Sequence, residues 1–252
     1  MKNRILLLVL GLSISASSFS QDLPEVIAMR EIEIHEETNE VIFKNYYRKW
    51  CDVLKEHSKG MSGWLMKGDR GERVDKYIFT YGFDYKAARD YYFPSIPPAD
   101  YKQFYALPQE ALSKLPPGVE GTNTYTDFVV LGYADIVRPQ LGEVIGIHCL
   151  DVKTNMQDDF ESFVSEEFNS AMHNKIPGLN LYVLKGDRGE RKGHYILVYI
   201  FDTVERRSEY IPREGEVTKE FTKVFKQVST VFEKFKGFQN DEISYTDYIV
   251  MY

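Results

Sequence analysis

Two heptapeptides are the first places in this chain where residue type and spacing suggest chemistry. Lys67-Gly-Asp-Arg-Gly-Glu-Arg73 recurs word for word as Lys185-Gly-Asp-Arg-Gly-Glu-Arg191. The forked guanidinium groups of Arg70, Arg73, Arg188 and Arg191 suit a carboxylate or a sulfate. The glycines let the backbone turn tightly enough to present them. The same residues also read as a charged hairpin loop in which Asp69 and Asp187 satisfy the turn backbone. A phosphate loop is excluded, because that needs a longer glycine-rich run ending in Gly-Lys-Ser/Thr and opening a helix. Here a strand pattern follows.

Histidines and acid–tyrosine pairs are the other candidates. Ile32-Glu-Ile-His35 parallels Ile145-Gly-Ile-His148, which makes His35 and His148 equivalent residues of two first strands. If the isoleucines pack under helices, both histidines face the opposite side, as general bases, as ligands to a haem iron or other metal, or as hydrogen-bonded residues of a polar interior. Tyr125 and Asp127, like Tyr245 and Asp247, stand two apart, and so share one strand face. A buried Asp there is a candidate base; at a strand entrance it would bond loop amides instead. Tyr81 and Tyr199 lie on aromatic stripes that either stack on a planar ligand or form core. There is no Cys-X-X-Cys, no Cys/His cluster, no His-Glu-X-X-His and no Ser-His-Asp order, so no metal site is expected. Cys51 and Cys149 read as buried thiols in separate elements.

The elements that must position these residues follow from an internal repeat. The heptapeptide match continues without a gap at an offset of 118 through Tyr77/Tyr195, Tyr81/Tyr199, Phe83/Asp84 with Phe201/Asp202, Arg89/Arg207 and Tyr92/Tyr210. Tyr125 to Val130 parallels Tyr245 to Val250. The chain therefore divides into a repeat over 21–133, a linker over 134–143 and a second repeat over 144–252. The second repeat shows a strand from Val144, and a helix carrying Met156, Phe160, Phe163, Val164 and Phe168 at 3- and 4-residue steps. Two strands then flank the Gly-Asp-Arg-Gly segment, a second helix runs from Val217 to Phe235, and a last strand starts at Tyr245. The first repeat follows the same order. Its second helical region is broken by Pro94, Pro97, Pro98 and Pro108, and the excursion from Ser95 to Gly118 is a candidate lid.

The order β-α-β-β-α-β is the ferredoxin-like motif. Each sheet covers one face with its own helices and must bury the other. Two linked copies, sheet facing sheet, make an α+β pseudo-dimer closed into one eight-stranded barrel with room for side chains or one small ligand. In this the chain resembles the dimeric α-β barrel superfamily, with its antibiotic-biosynthesis-monooxygenase-like, NIPSNAP-like and EthD-like proteins, over nearly all of its length. The first functional reading is binding of a small aromatic or anionic molecule in the barrel or between sheet and helices. The resemblance implies the alternative, a monooxygenase- or isomerase-type enzyme with its acid–base residue among His35, His148, Asp127 and Asp247. The third reading is a cell-envelope interaction module with no small-molecule site. The resemblance also implies haem as a possible cofactor. The Asn/Trp/His set of haem-degrading members finds no match around Trp50.

Composition and termini bound the setting. With 31 Lys and Arg against 38 Asp and Glu, the net charge of −7 argues against a nucleic-acid partner. Lys2 and Arg4, the apolar run Ile5 to Leu12, and Ser18-Phe19-Ser20 before Gln21 predict a signal peptide over 1–20 and a periplasmic or secreted protein. That run falls short of the ~20 residues needed to cross a bilayer. No other long apolar run suggests a membrane partner.

Overall fold

The computed structural model describes residues 24–94, 101–108, 117–133, 138–173, 175–213 and 215–252. The expected signal peptide, residues 134–137 of the linker and most of the Pro-rich excursion lie outside them.

Eight strands form one closed antiparallel barrel. The first four are β1 (Val26–Ile34), β2 (Met61–Gly71), β3 (Tyr77–Phe83) and β4 (Val119–Tyr133), and the last four are β5 (Val144–Val152), β6 (Leu179–Gly189), β7 (Tyr195–Phe201) and β8 (Gln239–Val250). Around the barrel the order is β1-β3-β2-β8-β5-β7-β6-β4. Each half therefore carries the ferredoxin-like order, β4-β1-β3-β2 and β8-β5-β7-β6. The barrel closes where β2 meets β8 and β4 meets β6.

Alternation along the strands sorts side chains into three cores. Ile78 of β3, Ile145 and Ile147 of β5, and Ile196 and Val198 of β7 point inward with Trp64, Tyr182 and Tyr248 and fill the lumen. Tyr77, Phe79 and Phe83 point outward under α1 (Glu40–His57), which buries Phe43, Tyr47, Trp50 and Leu54 against them. Asn39 caps that helix by accepting from the amides of Val41 and Ile42. In the second half, Leu150, Tyr195 and Phe201 point outward. Their cover is α4 (Gln157–Phe163), a π-helical turn (Val164–Phe168) and α5 (Asn169–Met172).

Each half also has a short helix after its hairpin, α2 (Lys86–Tyr92) and α6 (Val204–Tyr210). The sequence pattern does not reveal them. The single helix expected from Val217 to Phe235 is two, α7 (Lys219–Phe225) and α8 (Ser229–Gly237), broken at a turn through Val228. Among the described residues of the corresponding region in the first half there is one turn of helix, α3 (Lys102–Tyr105). Among the described residues no helix is long and apolar enough to cross a membrane.

Candidate functional site

The repeated heptapeptide is where the barrel closes. At both closures the register slips by one residue, at Asp69 in β2 and at Asp187 in β6. A bulge of this kind redirects the extra side chain. Both glycine pairs are required by space. A Cβ on Gly68 would lie 1.8 Å from the Arg73 carbonyl oxygen, and Gly71, at φ +87, packs on the backbone of Tyr245. Gly186 and Gly189 repeat the arrangement against Arg191 and Tyr125.

The redirected charges cross between halves. Arg70 donates from Nη1 to the Ile211 carbonyl at 2.8 Å and from Nη2 to that of Pro212 at 3.1 Å, at the C-terminal end of α6. Arg188 does the same at the end of α2, meeting the Phe93 carbonyl at 2.9 Å and Asp90 at 2.8 Å. Asp69 forms an ion pair with the buried Arg207 at 2.7 Å, and Asp187 accepts from the buried Arg89. Arg70 and Arg188 are thus spent on helix ends, where cations are favoured. Asp69 and Asp187, expected to satisfy their own turns, bind the opposite half. Arg73 pairs with Glu31 at 2.9 Å, and Arg191 rests on the Cys149 sulfur at 2.7 Å.

The histidines are not equivalent. Val26 pairs with Phe83 and Val144 with Phe201, so β1 and β5 keep the offset of 118. His148 therefore corresponds to Arg30. The Ile-X-Ile-His match compared segments five residues out of step. His35 lies past the end of β1, half exposed, with Nδ1 3.5 Å from Glu37. Nor does His148 face the lumen. Ile145 and Ile147 are the inward residues, so strand alternation turns His148 outward beneath the helices.

Around His148 lies a cavity of about 420 Å³ between the sheet and the cover formed by the segment after α6 together with α7 and α8. Its floor is His148, Leu197, Tyr199 and Tyr245; its walls are apolar, chiefly Leu181, Ile211, Phe221, Phe225 and Phe232; Glu216 and Val217 stand at the mouth. The imidazole sits between two tyrosine rings, with centroids 5.1 Å from Tyr199 and 4.9 Å from Tyr245. Tyr199 donates a short hydrogen bond to Asp247 Oδ1, while Arg207 holds Oδ2 at 3.0 Å. Burial, then the Asp247 carboxylate, push the Tyr199 phenol far above its ordinary range. It stays protonated and acts as a fixed donor. Both Asp247 oxygens are taken, so its role on this geometry is to hold Tyr199 and Arg207. Gly146 makes this possible: the Tyr199 ring lies across it, 1.9 Å from where a Cβ would stand.

The matching place in the first half is filled. Arg30 stands at the His148 position, donates to Asp127 at 3.1 and 3.2 Å, and lies over the Tyr125 ring at 4.4 Å. Ala28 replaces Gly146, and the Tyr81 hydroxyl meets Trp50 Nε1 at 3.4 Å instead of a carboxylate. Phe104 of α3 packs into the space, 5.6 Å from Trp50 and 4.6 Å from Phe93. Of the described part of the expected lid, Phe104 and Leu107 pack into the first half's core, while Lys102, Gln103 and Tyr105 are exposed. Of the proposed residues, His148, Tyr199 and Tyr245 are brought together, with Asp247 behind them. His35, Asp127, Tyr125 and Tyr81 are not. Sequence reasoning missed Gly146 and Arg207, for which the Ala28/Gly146 mismatch and the conserved repeat offset of Arg89/Arg207 were the available signals.

The molecule is an α+β barrel of the dimeric α-β barrel fold. No protein-family model matches the chain, and no curated protein does. Solved structures do. A candidate monooxygenase from Fusobacterium nucleatum is 13% identical, with a TM-score of 0.54 over 92% of this chain and 94% of its own. A candidate monooxygenase from Lactobacillus acidophilus is 12% identical, with a TM-score of 0.52 over 91% and 94%. A candidate chlorite dismutase is 9% identical, with a TM-score of 0.51 over 90% and 94%. At these identities the likeness is one of fold.

Proposed function

We propose that the His148 cavity takes a planar, largely apolar small molecule, and that the protein is an enzyme of monooxygenase type acting on it. The observation that carries the reading is one imidazole set into the floor of an otherwise apolar, aromatic-walled cavity. Imidazole is the side chain suited to exchange protons near neutrality. Stacking on the aromatic wall orients the ring system. His148 then accepts the proton of an acidic hydroxyl or carbon on the ligand, with Tyr199 fixed beside it. The names borne by the neighbouring structures support oxygenation as the class of reaction. Binding without turnover is the second reading, favoured by the commitment of both Asp247 oxygens to structure. Export from the cell, from the pattern of residues 1–20, belongs to the same proposal.

Haem, which the superfamily resemblance implies, fits less well. His148 would be the residue to hold its iron. Among the described residues, though, the cavity lining has no Arg or Lys to meet the two haem carboxylates, and Glu216 stands at the mouth instead.

The test is titration with a panel of planar phenols, following ligand fluorescence and oxygen uptake together. The reading expects saturable binding, ligand-dependent oxygen uptake, and loss of uptake in His148→Ala with binding retained. Binding without uptake selects the second reading. Absence of binding rejects both.

A further inference from the structure

A second site lies at one end of the barrel lumen, on the face of the sheet opposite His148, and it does not depend on the reading above. A cavity of about 80 Å³ is lined there by Arg73, Arg191, Thr126, Thr246, Cys149 and Tyr248. Taking about 30 Å³ for each liquid water, the space suits a group of two or three heavy atoms. The two arginines are equivalent by the offset of 118, and their backbone amides bond equivalent hydroxyls, Arg73 to Thr246 at 3.3 Å and Arg191 to Thr126 at 3.2 Å.

Their partners differ. Arg73 meets the Glu31 carboxylate at 2.9 Å. The residue at the Glu31 position in the second half is Cys149, whose sulfur is 2.7 Å from Arg191 Nη1. Among the described residues Arg191 makes no ion pair, and a guanidinium that could hold a carboxylate through two parallel bonds has a thiol in its place. Replacing Glu by Cys removes from the lumen the volume of a carboxylate group. The buried Nε of Arg73 lacks a partner as well.

The geometry points to a small monocarboxylate, or an oxyanion of like shape, binding to Arg191 where Glu31 binds to Arg73. The charges around the cavity select a single negative charge. Glu31 faces it from β1, and the exposed Glu72 lines its rim, so a dianion meets two carboxylates.

The probe is formate, titrated at fixed ionic strength and followed by saturation-transfer NMR on the full chain. Saturable binding is expected, weakened at least tenfold in Arg191→Gln and unchanged in His148→Ala. Cys149→Glu supplies the carboxylate from the chain itself, so it should abolish formate binding while its melting temperature equals or exceeds the parent's. Sulfate should bind more weakly than formate. Non-saturable binding overturns the proposal, as does formate affinity in Cys149→Glu or Arg191→Gln within twofold of the parent.

Discussion

The two halves share a fold and a closure motif, yet one side of each sheet has a different fate. In the first half the space between sheet and helices is filled by Phe104 and neutralised by an Arg30–Asp127 pair. In the second half the same space is open, floored by His148 and Tyr199. Two positions and one change of element account for this. Gly146 in place of Ala28 lets Tyr199 lie flat and reach Asp247. His148 in place of Arg30 releases the Asp on β8 to Tyr199 and Arg207. The split of the last helical region into α7 and α8 gives the cavity a wall, where α3 gives the first half a plug. The same strand order occurs twice, and among the described residues the open cavity beneath the helices occurs once.

The largest effect should come from the buried end of the inter-half clasp. Arg207→Ala strands Asp247 in the core and Asp69 at the closure. Removing one partner of such a pair costs about 3–5 kcal/mol. Arg89→Ala should cost less, because Asp187 and Asp90 are 34% and 48% exposed and regain water. Urea denaturation of the two variants measures the difference, and equal losses would break the asymmetry. Next is Gly146→Ala, which drives Tyr199 from its place. It should cost about 1–3 kcal/mol by overpacking and remove phenol binding. Ala28→Gly, at the matching place, should cost no more than about 1 kcal/mol and leave binding intact.

Phe104→Ala sharpens the comparison from the other side. It should cost about 2 kcal/mol as a cavity is opened among Trp50, Tyr81 and Phe93, without creating a second binding site, since Arg30 remains. Calorimetric stoichiometry checks that.

The smallest effect is acid stability. Glu40 accepts a short bond from Tyr77 and lies near Lys44 and Lys67, which holds its carboxyl at about 2 rather than 4.5. A lowered folded-state value stabilises the protein above pH 4.5, and that contribution fades as the pH falls toward 2. Glu40→Gln should flatten the melting-temperature profile between those values. The carboxyl is largely solvated, so the change is small. An unaltered profile would remove Glu40 from the account.

The barrel was legible because repetition and alternation report directly on strand order and buried faces. The heptapeptides marked the right places for a different reason: their arginines and aspartates read as a ligand loop, while the bulges that send them across to the other half depend on pairing between strands distant in sequence. His148 was legible as a residue and not as a position. Its match to His35 rested on two neighbouring isoleucines, while strand register makes Arg30 its counterpart. Nothing local signals that Tyr199 bonds Asp247, because Gly146 acts by vacating space.

The central claim is one site for a planar aromatic ligand per chain, beside His148. Isothermal titration with 1-naphthol, comparing the parent with Leu197→Trp, tests it most directly. The account predicts a single site in the parent, abolished in the variant with its melting temperature within a few degrees of the parent's. Two equal sites, or unchanged binding in Leu197→Trp, would contradict it.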